Sequence, residues 1–295
     1  MTKQKSKHHR LDTTPYFMLA PGYLIYFIFI MVPVFYGIYY SFTNYAFYGK
    51  PGFVGFSNYR YLLKDSLFIK SIGNTVVYTV FTVIPQMVLG LFIANALNKS
   101  FRTKSIWRGM IYMPNVTSMV AVSMIWLWLF DPASGFLNMV LRSIGQSGID
   151  WLYNPDTAMP CIIVVGVWKV VGYNMIIYLA GLQAVPQSLY EVAQIDGAGS
   201  VRQFFSITLP LLKPTTFFLL VMNTIQSFQV FEQVSIMTNG GPLNTTTTIV
   251  HQIYTRAFLD FKMGYASSMA VILLFVIATA TFLNFKFGGD TSDVD

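Results

Sequence analysis

Long apolar stretches separated by short polar segments make up most of this chain. Six of them reach the length of about 20 residues that a helix needs to cross a bilayer. They cover residues 16–41, 71–97, 109–130, 159–183, 214–237 and 264–286. The pattern predicts an all-α, polytopic membrane protein with six transmembrane helices. The membrane domain then spans residues 16–286, with polar tails at 1–15 and 287–295.

The positive side chains predict the orientation of these spans. Four Lys or Arg residues precede the first stretch, and four more lie between the second and the third. Eleven Lys or Arg residues fall in regions on the same side of the membrane as the N-terminal tail, and seven fall in the loops on the other side. Because short loops rich in Lys and Arg stay in the cytoplasm, we expect both tails and the loop at 185–214 to be cytoplasmic.

Four of the predicted spans contain a residue that disturbs a helix: Pro33, Pro85, Pro114 and Gly172. A broken helix survives in lipid only where neighbouring helices or a wet cavity satisfy the freed carbonyl groups. These residues therefore predict breaks beside a cavity.

The polar loop at 185–214 carries strong helix signals. Ser188 stands three residues before Glu191, the spacing of a capping box, and Gly197 supplies a stop that needs no Cβ atom. The same signals recur once more. Ser200 and Gln203 have the spacing of a second capping box, and Pro210 and Pro214 are expected to break the helix that follows. Two short helices that bend around Gly197 are predicted.

The spacing of this loop resembles the EAA loop of ABC importer permeases, with Val192 in place of the usual central Ala. In that family the loop is a cytoplasmic coupling helix that docks into a groove of the ATP-hydrolysing subunit. The alternative is an ordinary amphipathic loop between helices. The resemblance implies the coupling role for Glu191, Ala193, Asp196, Gly197, Ala198, Ile207, Leu209 and Pro210.

Further stretches resemble the carbohydrate-uptake branch of that family, and specifically the larger permease of maltose-type and multiple-sugar systems. They lie at 101–114, 126–130, 168–186 and 238–242, the last reading TNGGP. The resemblance implies the type I importer fold in a bacterial inner membrane, working by alternating access. It also implies a second permease, two ATP-binding subunits and an extracellular solute-binding protein. Maltose itself is not implied, because the extra spans and outer insertion of the maltose-type relative are missing.

Composition agrees with a membrane protein. The chain of 295 residues is 54% hydrophobic and 11% charged, with a mean hydropathy of +0.54, outside the range of soluble domains. The net charge of +7 is explained by topology, because the positive residues cluster beside apolar segments, and we expect no nucleic-acid partner. The single Cys161 excludes an intramolecular disulfide.

The chain has no sequence pattern for nucleotide phosphates of the form G-x-x-x-x-G-K-[ST], and none for zinc-dependent catalysis of the form H-E-x-x-H. We therefore expect a transport subunit without a cofactor of its own. ATP and Mg²⁺ would be bound by the partner ATPase.

The fifth span is the richest in polar groups. Asn223, Gln226, Ser227 and Val230 are spaced so that they share one helix face, which we expect to line the substrate path. The resemblance places Asn223, Ser227 and Val230 at sugar-holding positions and adds Asn115, Lys169 and Tyr173 from the third and fourth spans. The alternative is hydrogen bonding between helices. Asn74, Tyr78 and Gln86 of the second span are open to both interpretations, and we assign them to packing.

Lys169 and Glu232 are the ionisable groups within the spans, and such groups are functional candidates because burying a charge is costly. A proton relay is one interpretation, and snorkelling or pairing is the other. Three rival functions stay open: a glycerol-3-phosphate importer, a proton-coupled carrier and a membrane-embedded enzyme. A phosphate ligand should require Arg or Lys in the cavity, where only Lys169 qualifies.

Overall fold

The computed structural model describes residues 14–98 and 102–288. These residues are almost entirely helical, and a single bridge between Thr43 and Phe53 is the only β pairing among them. The all-α prediction is confirmed. The predicted cytoplasmic tails lie mostly outside the described residues, as does Lys99.

Six spans can be traced along the described chain. Four are helices long and apolar enough to cross a bilayer: Tyr16–Ser41, Ser66–Asn98, Pro155–Ala184 and Met263–Lys286. The third and fifth spans are bent pairs, Lys104–Val116 with Met119–Leu129 and Ser200–Leu211 with Lys213–Met237. Shorter helices lie at Ser57–Leu62, Phe136–Ser143, Gln187–Ile195 and Ile249–Tyr254, and π turns at Phe27–Met31, Phe204–Thr208 and Thr255–Leu259.

The break predicted for the third span is present, but it does not lie at Pro114. The two helices of this span meet at 98°, because Thr117 and Ser118 adopt extended backbone conformations. Pro114 lies inside the first helix, two residues before the break. The proline alone therefore does not set the position of the bend.

The fifth span also departs from a single helix. Its main helix, Lys213–Phe228, is followed by a short non-helical link and the helix Glu232–Met237. The hydroxyl group of Thr248 donates a hydrogen bond of 3.0 Å to the Val230 carbonyl oxygen in that link. The loop at 238–248 thus satisfies one of the carbonyl groups that the break leaves free.

Most of the predicted helix breakers do not break helices. Pro85 and Gly172 lie within continuous helices. Pro33 and Pro210 each stand two positions after a π turn, in the first turn of the next helical segment, where a missing N–H group is tolerated. The predicted break at Pro210 was therefore wrong, and the chain first bends at Leu212.

Glycines of the second and fourth spans allow close helix packing, which membrane helices favour. Gly90 of the second span leaves room for Asn174, whose Cβ atom would lie 2.7 Å from an added Cβ atom. Gly172 lies against the backbone of Ile111 and Tyr112 in the third span. The fourth span thus contacts the second and third spans at backbone distance.

We expect Gly172→Val to destabilise the fold strongly. An added Cβ atom would overlap the Ile111 carbonyl group and lie 2.8 Å from the Tyr112 Cα atom, and overpacking costs about 1–3 kcal/mol or more. Gly73→Val is the matched control, since nothing lies within 4 Å of a Cβ atom there. Thermal unfolding of the purified complex would measure both, and equal midpoints would contradict the prediction.

The loops at the end of the bundle opposite residues 185–214 are tied to the second and sixth spans. The side-chain nitrogen of Asn74 donates to the Thr247 carbonyl oxygen at 2.9 Å, and the Gly264 N–H group donates to the Tyr45 carbonyl oxygen at 2.8 Å. Partial burial of Asp65 would raise the pKa of its carboxyl group, but hydrogen bonds from Tyr265 and from two backbone N–H groups lower it below its usual value. This end of the molecule is a connected layer.

Candidate functional site

A polar cavity of about 530 Å³ lies among the second, third, fourth and fifth spans. Its volume is within the range of small-molecule sites. Neutral polar side chains dominate its wall, and Lys169 and Glu232 are the charged ones. The wall contains Tyr78, Thr82, Gln86, Asn115, Met119, Lys169, Val170, Asn223, Gln226, Ser227, Gln229, Val230, Phe231, Glu232 and Gln233.

The structure brings together six of the seven residues predicted for the substrate path. Asn115, Lys169, Asn223, Gln226, Ser227 and Val230 all line the cavity. Tyr173 does not belong to this lining and packs against the apolar cluster of the second, fourth and fifth spans. The fifth-span face predicted from helical periodicity therefore faces one cavity, and one of the predicted residues from each of the third and fourth spans faces it too.

The Lys169 side chain is hydrogen-bonded to backbone carbonyl groups at the break in the third span. Its ammonium group donates to the carbonyl oxygens of Pro114 at 2.7 Å and Asn115 at 2.9 Å, and also to that of Thr117. An ammonium group has three donors, so all of them are used. Lys169 thus pairs with the backbone carbonyl groups that the bend exposes.

Asn223 makes a contact between helices, as the alternative interpretation expects, whereas Ser227 bonds within its own helix. The Asn223 Nδ2 atom donates to the Asn174 Oδ1 atom at 2.8 Å, and the Ser227 hydroxyl group donates to the Asn223 carbonyl oxygen at 2.7 Å. The Asn223 Oδ1 atom is buried and has no partner in the described chain. Asn223 therefore joins the fifth span to the fourth and still has an acceptor atom without a partner.

The second span contributes a wall that sequence reasoning missed. Tyr78, Thr82 and Gln86 recur every fourth residue and all line the cavity, whereas Tyr78 and Gln86 had been assigned to packing. Gln233 donates to the Tyr78 hydroxyl oxygen at 2.6 Å, and Gly166 leaves space for that hydroxyl group. The polar spacing of four residues was the signal that could have identified this face.

The segment at 185–214 forms the predicted pair of short helices, but without the predicted caps. The first helix, Gln187–Ile195, begins directly after Pro186, so Ser188 lies within its first turn and caps nothing. The capping box predicted for the second helix is also absent, because Gly199 and not Ser200 occupies the capping position before that helix. Instead, the Gln203 side-chain amide donates to the Ala198 carbonyl oxygen at 2.8 Å.

Gly197 ends the first helix in the predicted left-handed conformation, with φ of +76°. Its N–H group donates to the Gln194 carbonyl oxygen at 3.0 Å, and the Ala198 N–H group donates to that of Ala193 at 2.8 Å. This pair of bonds is the Schellman arrangement, which satisfies the last carbonyl groups of a helix. A residue with a Cβ atom would be strained at this position.

The segment exposes a row of apolar side chains. Leu189, Val192 and Ile195 recur every third residue of the first helix, and Ile195 is 86% exposed. Val201 and Phe205 extend the apolar surface into the second helix. Of the residues predicted for coupling, Glu191, Asp196, Gly197 and Leu209 are exposed, and Ala193, Ala198, Ile207 and Pro210 are half-buried.

The model of the family described as binding-protein-dependent transport system inner membrane component matches residues 86–287. This range holds most of the cavity wall and the whole of the segment at 185–214. The chain belongs to this family of transport permeases. The predicted class of ABC importer permease is thereby confirmed, in preference to the proton-coupled carrier and the membrane-embedded enzyme.

Curated relatives match this permease over most of their length. It is 36% identical over 277 residues to the sn-glycerol-3-phosphate transport system permease protein UgpA of Agrobacterium fabrum, covering 92% of this chain and 94% of the relative. It is 33% identical over 278 residues to the probable ABC transporter permease protein YurN of Bacillus subtilis, with coverage of 92% and 95%. Both relatives are permease proteins, so the match supports a transport subunit.

A solved structure shares the fold of this permease. The structure is that of a bacterial alginate ABC transporter in complex with an alginate pentasaccharide-bound periplasmic protein. The match has a TM-score of 0.83 and 25% identity, and it covers 93% of both chains. The predicted fold of a type I importer permease with six spans is confirmed.

Proposed function

We propose that this permease forms part of the import path for a neutral sugar, and in particular an oligosaccharide. The main support for this proposal is the cavity, whose polar side chains are neutral apart from Lys169 and Glu232. Sugar hydroxyl groups need both donors and acceptors, and amide and hydroxyl side chains offer both. The relatives named above handle sn-glycerol 3-phosphate and alginate, so the choice among polyhydroxylated ligands rests on the charges of this cavity.

Those charges favour a neutral ligand over a phosphate ester. Phosphate recognition relies on Arg or Lys side chains that are free to donate. Lys169 is the only basic residue of the described lining, and three backbone carbonyl groups occupy its ammonium group. Glu232 adds a carboxyl group that would repel phosphate when ionised.

We further propose that the segment at 185–214 couples this cavity to ATP hydrolysis in a partner. Exposed apolar patches mark interaction surfaces, and Leu189, Val192 and Ile195 form such a row next to the exposed Glu191. Two ATP-binding subunits would carry ATP and Mg²⁺, and a second permease would complete the path. A rigid-body movement of this segment would then switch access to the cavity between the two sides.

The proposed orientation puts residues 185–214 and both chain ends in the cytoplasm of a bacterial cell. The connected layer of loops at the other end would face the extracellular solute-binding protein. Residues 42–65 and 238–262 contribute to that layer.

Uptake by the complete complex in proteoliposomes tests the substrate class. The complex should take up at least one of maltotriose, cellotriose, raffinose and xylotriose when its binding protein and ATP are supplied. Equal amounts of sn-glycerol 3-phosphate should give little uptake. Uptake of the phosphate ester alone would overturn the assignment to neutral sugars.

A variant of the fifth span tests whether its face lines the path. Ser227→Leu should reduce sugar uptake by about 5- to 150-fold, because losing a hydrogen bond to a polar ligand costs about 1–3 kcal/mol and the longer side chain enters the cavity. Thr224→Val is the control, since Thr224 is buried on the same helix outside the cavity lining. Equal uptake by both variants, with normal assembly, would restrict Ser227 to helix packing.

Asn223→Leu should reduce uptake in the same range. This variant also removes the bond to Asn174, so we expect the complex to lose about 1 kcal/mol of stability. Thermal unfolding alongside uptake separates the two effects.

A further inference from the structure

A buried side chain of the second span lines the cavity, and one of its polar atoms has no hydrogen-bond partner. Gln86 is 2% exposed and lines the cavity. Its Oε1 atom is buried and accepts no hydrogen bond from the described chain. Buried polar groups are nearly always paired, so an unpartnered carbonyl oxygen at a cavity wall points to a donor supplied from the cavity.

The neighbouring side chains make no hydrogen bond to this oxygen. Tyr78, two turns earlier on the same face, is bonded to Gln233. Val83 and Met87, on either side of Gln86 in sequence, belong to an apolar cluster that also contains Leu219 of the fifth span. The packing around Gln86 is therefore apolar except toward the cavity and toward Thr82, one turn earlier, which also lines the cavity and whose hydroxyl oxygen likewise has no partner in the described chain.

A second acceptor of the same kind lies on the fifth span. Asn223 is 1% exposed, and its Nδ2 atom is committed to Asn174. Its Oδ1 atom lacks a partner in the described chain. Because Leu219 stands one turn before Asn223, the cluster that holds Gln86 in place also packs next to this second amide.

We propose that the Gln86 side-chain amide is a specificity-determining part of the cavity, which accepts a hydrogen bond from a hydroxyl group of the ligand. With Asn223 it makes an acceptor pair on two different spans. A neutral polyhydroxylated ligand supplies O–H donors to both atoms. An ionised phosphate ester has mainly acceptor oxygens, so it leaves the two carbonyl oxygens unpaired and faces no free cation. The inference rests on the proposed function, because it concerns the same cavity.

The test uses the complete complex in proteoliposomes and whichever of the four neutral oligosaccharides it takes up. Gln86→Met keeps the length of the side chain and removes the amide. Uptake at low sugar concentration should fall by about 5- to 150-fold, with assembly of the complex unchanged. Thr79→Val is the matched control, because it removes a buried, unpartnered hydroxyl group of the same helix that is not part of the cavity lining.

Monodeoxy analogues of the same sugar identify the bonded hydroxyl group. One analogue should be taken up poorly by the wild-type complex and should lose nothing further in Gln86→Met. This lack of additivity is the signature of a direct pair, and loss of helix packing alone would not produce it.

The outcomes separate the two proposals. Sugar uptake by Gln86→Met equal to that of Thr79→Val, or additive losses across all the analogues, would overturn the role of Gln86 and leave the sugar importer intact. Uptake of sn-glycerol 3-phosphate alone by the wild type would overturn both proposals. If Gln86→Met does not assemble, Gln86→Ala is measured in its place, and failure of both to assemble would assign Gln86 to packing.

Discussion

Gly197→Arg is expected to reduce ATP hydrolysis stimulated by the loaded binding protein at least tenfold, while the chain reaches the membrane in normal amount. Gly197 has φ of +76°, and a left-handed conformation costs a residue with a Cβ atom about 1–2 kcal/mol. Nothing in the described chain lies within 4 Å of a Cβ atom at this position. The arginine side chain would therefore extend into the space where the partner ATPase is proposed to dock.

Two control variants separate strain from collision. Gly197→Asn should keep most of the activity, because Asn tolerates the left-handed region and is short. Gly49→Arg makes the same change at an exposed glycine with φ of +101° at the other end of the molecule, and it should be nearly silent. Reconstituted ATPase activity and a pull-down of the ATP-binding subunits provide the measurements. Full stimulated activity of Gly197→Arg with normal assembly would remove the coupling role from this segment.

Lys169→Met is expected to reduce uptake more than tenfold and to loosen the bend in the third span. The substitution removes three hydrogen bonds from a charged group, and bonds of this kind contribute about 1.5–3 kcal/mol each. It also leaves the carbonyl groups of Pro114, Asn115 and Thr117 without this partner. Lys70→Met is the control, because the Lys70 ammonium group donates to the Leu243 carbonyl oxygen in an exposed loop.

Electron paramagnetic resonance distances would show the bend directly. Spin labels at Met110 and Met124, which are exposed on the two halves of the third span, report the angle between the halves once Cys161 has been replaced. The distance distribution should broaden in Lys169→Met and stay narrow in Lys70→Met. An unchanged distribution with normal uptake would show that the bend holds without Lys169.

The number of spans could be predicted from the sequence because the bilayer imposes one length on every crossing helix. The same rule carries no information about bends inside a span. Pro114 was the only local sign in the third span, yet the helix ends at Val116. The carbonyl groups freed there are bonded by a side chain more than 50 residues away, and no local pattern contains that contact.

A helix face that lines the cavity could be predicted where the periodicity of one helix was enough. It could not be predicted where the pairing of two helices had to be known. The face with Asn223 and Ser227 follows from periodicity within a single helix. The face with Tyr78 and Gln86 has an equally regular spacing, but its role depends on which helix lies opposite. The turn at Gly197 was predicted correctly because its backbone requirement is local. The caps failed because Pro186 starts the first helix earlier than Ser188 allows.

The π turn at Phe204–Thr208 makes the length of the chain between the coupling segment and the fifth span significant. An α-helix rotates by about 100° per residue, so one residue more or less in the α-helical turns beside it would change the rotational phase of the helix that follows, whereas the π turn itself already holds one residue more than an α turn. Asn223 and Ser227 would then turn away from the cavity although no cavity side chain had been altered. A one-residue deletion in those α-helical turns would act on the substrate cavity at a distance, whereas the same deletion within the π turn would convert it to an α turn and leave the phase unchanged.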